Sequence, residues 1–159
     1  VIGGKMTGLS LGAAMATFGL GLAVSMAGIG SIVGIGYPAR AAVGVLSEDP
    51  TRFGSLFLLV VLPGTQGFYG FVAAFLIIGN IARVETMAQG MQLFFAALPV
   101  AFTGLFSGIH QGKVCAAGVN LAAKKPREVM KGVIYAAMIE TYAVLGLLIT
   151  FFLNNLVKF

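Results

Sequence analysis

The sequence predicts an all-α membrane protein: four transmembrane helices folded as a duplicated helical hairpin, a single domain over residues 1–159. Three observations predict it. Apolar residues make up 58% of the chain and charged residues only 9%, where a soluble domain carries about a quarter charged residues. The few charges divide the chain into four long runs. The second half repeats the layout of the first. This composition excludes a water-soluble globule and a disordered chain, and the length fits one domain.

The first span lies among the 34 uncharged residues between Lys5 and Arg40; about 20 apolar residues suffice to cross the hydrocarbon core as a helix. The run is about twice as long as the apolar region of a cleavable signal peptide, so it reads as a span. Its segment Gly19–Gly36, GLGLAVSMAGIGSIVGIG, has the density of small residues that lets helix backbones approach closely. A nucleotide-binding glycine loop is excluded by context: no strand precedes it and no Lys-Ser or Lys-Thr pair follows. Four helices satisfy such a face poorly alone, so packing against further copies of the chain is expected.

The second span lies among the 30 uncharged residues between Arg52 and Arg83. Pro63 removes a helical hydrogen bond and clashes with the preceding turn. Pro63-Gly64 should therefore loosen the backbone and leave carbonyl oxygens available. The third span starts within the 27 residues between Glu85 and Lys113 and continues to Ala123. Lys113 either snorkels to the surface or marks where the helix leaves the membrane. The fourth, Gly132–Val157, holds 26 residues broken only by Glu140. All four runs are continuously apolar rather than alternating, as helices in lipid require.

Repeat one is expected over about 6–82 and repeat two over about 91–157. In the second helix of each half, Pro50 matches Pro126, Thr65 matches Thr141 and Gly70 matches Gly146, an offset of 76. In the first helix, Gly28-Ile29 matches Gly108-Ile109 at an offset of 80. The difference is about one helical turn, expected to be lost from the second hairpin. Glu140 falls opposite Gly64, so the duplicated hairpin holds one acidic residue in its spans.

Charge sets the orientation. Arg40, Arg52, Lys124, Lys125, Arg127 and Lys131 follow the first and third spans, against Lys5, Arg83 and Lys158 on the other side. The positive-inside rule places the richer side in the cytoplasm and both termini outside. The net charge of +5 is thus an orientation signal rather than a nucleic-acid surface. The single Cys115 allows no internal disulfide and no cysteine-based zinc site. Cys115 reads as a small packing residue, and His110 as a packed or pore-facing histidine rather than a ligand.

An ionisable residue inside a span is a functional hypothesis by default, and Glu140 is the only carboxylate there. It lies about 12 Å along its helix from Gly132, Thr65 and Gln66 about 16–18 Å from Gly54, and Gln111 about 18 Å from Ala123. Three helices thus present polar groups at similar depth. Thr65 and Tyr69, four apart, share a face. Carboxylate, amide, hydroxyl and carbonyl oxygens suit a hard cation, and one negative charge matches a monovalent one better than Ca²⁺ or Mg²⁺. The alternative is that Thr65, Gln66, Tyr69 and Gln111 are interhelical hydrogen-bonding groups around a protonated Glu140.

The segments LPGTQGFYGF (Leu62–Phe71), SGIHQGKV (Ser107–Val114) and AAMIETYAVLG (Ala136–Gly146) carry a resemblance to the membrane-rotor proteolipids of sodium-transporting V-type ATPases. The similarity covers essentially the whole chain, including the duplicated hairpin with one carboxylate. Proton-type relatives generally share the Glu but not this full set of oxygen groups. The resemblance implies a Na⁺ site formed by the Leu62 carbonyl and the side chains of Thr65, Gln66, Gln111 and Glu140, with Tyr69 bonded to Glu140 as a lock. His110 departs from the pattern, standing where a relative has a small residue.

The resemblance further implies a ring of identical protomers turning against a stator membrane subunit, with central-stalk subunits on the cytoplasmic loops Pro38–Arg52 and Lys124–Lys131. The setting would be a bacterial cell membrane. Na⁺ would neutralise Glu140, because a bare carboxylate facing lipid costs about 3 kcal/mol or more. ATP hydrolysis elsewhere in the complex would drive rotation. The chain itself would perform no bond chemistry, bind no organic cofactor and contact no nucleic acid. The nearest alternative is a proton-translocating rotor. A small secondary cation transporter and a purely structural four-span protein are further ones.

Overall fold

A computed structural model describes residues 10–159; Lys5 and the expected start of repeat one lie outside them. Five α-helices follow in order: α1 Leu11–Glu48, α2 Phe53–Val61, α3 Thr65–Ile81, α4 Met87–Lys124 and α5 Val129–Leu156. Short 3₁₀ turns at Pro50–Arg52, Leu62–Gly64 and Pro126–Glu128 join them. Helices α2 and α3 are one span interrupted at Pro63, so the described residues hold four stretches long and apolar enough to cross a membrane.

Local chemistry sets the ends. Ser10 caps α1 by accepting the Ala13 N–H at 3.1 Å. Thr86 opens α4 with a capping box: its hydroxyl accepts the Gln89 N–H, and the Gln89 side chain accepts the Thr86 N–H, which satisfies two otherwise orphaned donors. Pro50 and Pro126 each stand at the first position of a 3₁₀ turn, where a missing N–H costs nothing.

Helices α1 and α4 have 38 residues each, about 57 Å at 1.5 Å per residue, against a hydrocarbon core of about 30 Å. They project well beyond it. Pro38–Arg52, expected as a loop, is therefore mostly helix. Pro38 lies buried inside α1, the helix runs to Glu48, and the connection is confined to residues 49–52. Likewise α4 passes Lys113 without a break, and the Lys113 ammonium lies 5.9 Å from the Tyr37 ring centre.

The core is a seam of glycine and alanine. Gly12 meets Thr86 and Gly90, Gly30 meets Gly104 and Gly108, and Gly34 meets Gly108 and Gly112. Residue numbers rise together, so α1 and α4 run parallel, backbone against backbone. A Cβ on Gly34 would collide with the Gly108 backbone. Small residues here create the close approach itself. Larger apolar side chains fill the two ends of the bundle: Ile77, Leu93 and Val100 in one cluster, Leu56, Leu59 and Val119 in the other. Phenylalanines and isoleucines line the outside, as a lipid-facing surface requires.

The elements repeat at one offset throughout. Leu11 to Met87, and Phe53 to Val129, are each 76 residues apart. The expected four-residue loss from the second hairpin does not occur. The match of Gly28-Ile29 to Gly108-Ile109 was one helical turn out of register; the structural mate of Gly28 is Gly104. Glycine-rich helices match themselves at several shifts, and the helix boundaries remove that ambiguity.

The α1–α2 and α4–α5 connections lie together. Arg52 Nη1 donates to the carbonyls of Ala122 and Ala123 at 3.1 and 3.0 Å, capping the end of α4. Its Nε donates to Asp49 at 2.9 Å. Hydrogen bonds from Thr51 and then Arg52 hold the Asp49 carboxyl below its ordinary value. The second connection carries an ion pair between Lys131 and Glu128. At the opposite end, Arg83 stacks over the Phe159 ring at 4.5 Å, and Gln89 donates to the Lys158 carbonyl at 3.0 Å.

Candidate ion-binding site

The break in the second span creates the first part of the site. Pro63 ends α2 at Val61, and one 3₁₀ turn restarts the helix as α3 at Thr65. The Leu62 carbonyl is thereby turned onto two donors of Thr65: its backbone N–H and its hydroxyl, the latter at 3.0 Å. The loosening expected from Pro63-Gly64 takes this form. The freed N–H of Gly67 donates to Ser31 Oγ of α1 at 2.8 Å, which splints the restart of the helix to the glycine seam.

Gln66 points inward from α3 and Gln111 inward from α4; both are completely buried. Gln66 Nε2 donates to Gln111 Oε1 at 2.5 Å. Gln66 Oε1 faces Thr65 Oγ1 at 3.5 Å. Gln111 Nε2 in turn donates to the Ala136 carbonyl at 3.1 Å and to Glu140 Oε2 at 3.3 Å, both on α5. Tyr69, one turn beyond Thr65, donates its hydroxyl to Glu140 Oε1 at 2.6 Å. Both carboxylate oxygens therefore accept a hydrogen bond, from two different helices.

The structure thus brings together in one cluster the six residues expected around the carboxylate: Leu62, Thr65, Gln66, Tyr69, Gln111 and Glu140. It adds two groups that sequence reasoning did not single out. One is the Ala136 carbonyl, recognisable only as the backbone group one turn before Glu140. The other is Ser31, whose role depends on a tertiary contact. His110 stands apart. It is exposed on α4, and its Nδ1 lies 2.8 Å from the Phe106 carbonyl of its own helix.

Chemically the cluster is a single half-buried carboxylate among amide, hydroxyl and carbonyl oxygens. Leaving one such buried donor or acceptor without a partner costs about 1–3 kcal/mol, so the relay from Gln66 through Gln111 to Glu140 is held as a unit. Hard oxygens of this kind suit an alkali or alkaline-earth cation rather than a transition metal.

The comparisons with known proteins agree with this architecture. The family profile of the ATP synthase C subunit matches residues 18–77 and again residues 94–153, the same spacing of 76 that the helices show. The V-type sodium ATPase subunit K of Enterococcus hirae is 53% identical over 126 residues, 79% of this chain and 81% of that protein. The A-type ATP synthase subunit K of Methanocaldococcus jannaschii is 39% identical over 128 residues, 80% of this chain and 58% of that protein. A 16 kDa proteolipid of the V-type proton ATPase from Nephrops norvegicus is 31% identical over 129 residues, 77% of this chain and 81% of that protein. A four-span duplicated hairpin matched twice by one profile, with one carboxylate among its spans, leaves a single reading of its ancestry: the chain belongs to the ATP synthase C subunit family.

Proposed function

We propose that this chain is the Na⁺-carrying rotor subunit of a V-type rotary ATPase. One ion per protomer would be held by the Leu62 carbonyl, Thr65 Oγ1, Gln66 Oε1, Gln111 Oε1 and Glu140, with Tyr69 locking the carboxylate. The observation that carries the reading is the Gln66–Gln111–Glu140 relay, a fully buried pair of amides spent on one carboxylate. Subunit K of the sodium ATPase, the relative with 53% identity, supports Na⁺ as cargo.

The mechanism follows from charge. An occupied site is neutral and can travel past lipid. An emptied one exposes a carboxylate whose cost in the membrane is about 3 kcal/mol or more. Release therefore occurs where a basic group of the stator subunit stabilises the bare Glu140. Rotation carries each site between that position and the lipid face, driven by ATP hydrolysis in the catalytic head. Copies of the chain form the ring, and the membrane is a bacterial cell membrane. Six basic residues lie at the end formed by the α1–α2 and α4–α5 connections. The positive-inside rule places that end in the cytoplasm, against the central stalk.

Proton transport is the second reading. Tyr69 and Gln111 could equally satisfy a protonated Glu140, and components of V-type proton ATPases are among the relatives. The test is ATP-driven ²²Na⁺ uptake into vesicles containing the whole complex. Glu140→Gln should abolish uptake while the ring still assembles. Uptake retained in that variant would refute the mechanism.

A further inference from the structure

Each repeat carries a serine at the same place on its first helix: Ser31 of α1 and Ser107 of α4, 76 residues apart and each 6% exposed. They meet different backbones. In a continuous helix the N–H of Gly67 would bond the Pro63 carbonyl, four residues back. Helix α3 begins only at Thr65, and that N–H reaches Ser31 Oγ at 2.8 Å instead. The repeat mate of Gly67 is Ala143, and α5 runs unbroken through it from Val129 to Leu156. The Ala143 N–H therefore stays in the helix ladder, and Ser107 Oγ is buried without a hydrogen-bond partner among the described residues.

The Gly67 N–H belongs to the same planar peptide unit as the Gln66 carbonyl and the Gln66 Cα. Holding that N–H fixes the direction in which the Gln66 side chain leaves the backbone. Gln66 is fully buried and donates to Gln111 Oε1, and Gln111 donates to Glu140, so an error at this peptide passes along the relay. Helix α1 closes on the turn with little room to spare. Ile35 Cδ1 lies 3.3 Å from where a Cβ on Gly64 would stand, and Ser31 Oγ 3.3 Å from one on Gly67. An unpaired buried N–H is costly. Without Ser31 the Gly67 N–H returns to the Pro63 carbonyl, winds the 3₁₀ turn toward α-helix and turns Thr65 and Gln66 away from the carboxylate.

We propose that Ser31 is a positioning residue for the cation site. It acts through the Gln66–Gly67 peptide, not as a ligand, and sets the Gln66–Gln111–Glu140 relay by keeping the Gly67 N–H off the Pro63 carbonyl. The proposal rests on the cation reading above. It brings α1 into a site whose other groups come from α3, the turn before it, α4 and α5. Ser107 is the matched control: the same residue at the same place in the other repeat, equally buried, with no freed N–H to hold.

The test is equilibrium ²²Na⁺ binding to the assembled complex. Ser31→Ala should weaken binding about tenfold or more, and Ser107→Ala should change it by less than about twofold. A groove of about 520 Å³ beside Ser31, lined also by Gly28, Ile32, Gly67 and Phe68, has room for one methyl. Ser31→Thr keeps the acceptor there and should recover binding to within about threefold of the native complex. If Ser31→Ala does not assemble, Ser31→Cys replaces it: sulfur is a weaker acceptor of similar size, and the loss should be about threefold or more. Native affinity in the Ser31 variant that assembles would overturn the positioning role and leave the cation site standing. So would equal losses in Ser31→Ala and Ser107→Ala, or a Ser31→Thr complex no better than Ser31→Ala. A native complex that binds no ²²Na⁺ would overturn the cation reading itself, and this proposal with it.

Discussion

Tyr69 of α3 donates its hydroxyl to Glu140 Oε1 of α5 at 2.6 Å, and so ties α3 to α5 at the one carboxylate that these two helices hold. The residue that makes this bond stands one turn beyond Thr65, and Thr65 stands at the helix restart that Pro63 imposes. A single proline thus sets the depth of both an oxygen donor and the group that closes over the carboxylate. Tyr69→Phe removes the bond and keeps the ring. The account predicts faster exchange of bound Na⁺ with little change in assembly, measurable as ²²Na⁺ dissociation from purified rings.

Gln111 holds the relay together, and its loss should be felt twice. Gln111→Ala removes one of the proposed Na⁺ ligands and leaves the Gln66 amide buried without its partner. Na⁺ affinity should fall about tenfold or more, which corresponds to about 1.4 kcal/mol, while Glu140 keeps its reactivity. Equilibrium ²²Na⁺ binding measures it; an unchanged affinity removes Gln111 from the site.

The glycine seam separates structural from permissive positions. Gly34→Ala places a methyl against the Gly108 backbone, and overpacking of this kind costs about 1–3 kcal/mol. Gly79→Ala meets nothing within 4 Å and should be neutral or gain a few tenths of a kcal/mol from helix propensity. Thermal dissociation of the purified ring distinguishes them.

The latch at the connections should matter for stability rather than for transport. Arg52→Ala uncaps the last carbonyls of α4, and the account predicts a loss of about 1–2 kcal/mol with the Na⁺ affinity unchanged. Asp49 adds a pH dependence. Its folded carboxyl titrates below the ordinary 3.8. Its contribution is therefore fully present above that ordinary, unfolded value and is lost as pH falls through the lower folded value. Asp49→Asn should differ from the native ring at pH 7 and converge with it in strong acid, by the same thermal measurement.

Much of this fold was legible because lipid restricts the choices. Long uncharged runs read as spans, and Pro63 and Glu140 stand out in them by cost alone. The register of the repeat was not legible, because glycines recur along α1 and α4 often enough to match at shifts of 76 and 80. The extent of α1 past Pro38 was hidden by the habit of reading proline and charge as helix ends; in a membrane helix packed against its neighbours a proline is tolerated. The polar cluster was foreseen from depth along each helix. The Ala136 carbonyl and Ser31 were not, since backbone groups and tertiary splints leave no mark in residue type.

The most direct test of the central claim is the rate at which a hydrophobic carbodiimide labels Glu140 in the purified ring, at fixed pH and ionic strength. Na⁺ seated on the carboxylate excludes the proton that labelling requires. The account predicts that Na⁺ slows labelling in a saturable way and that K⁺ at the same concentration does not. Labelling at Glu140 that is indifferent to Na⁺ would contradict it, and would make this ring a proton carrier.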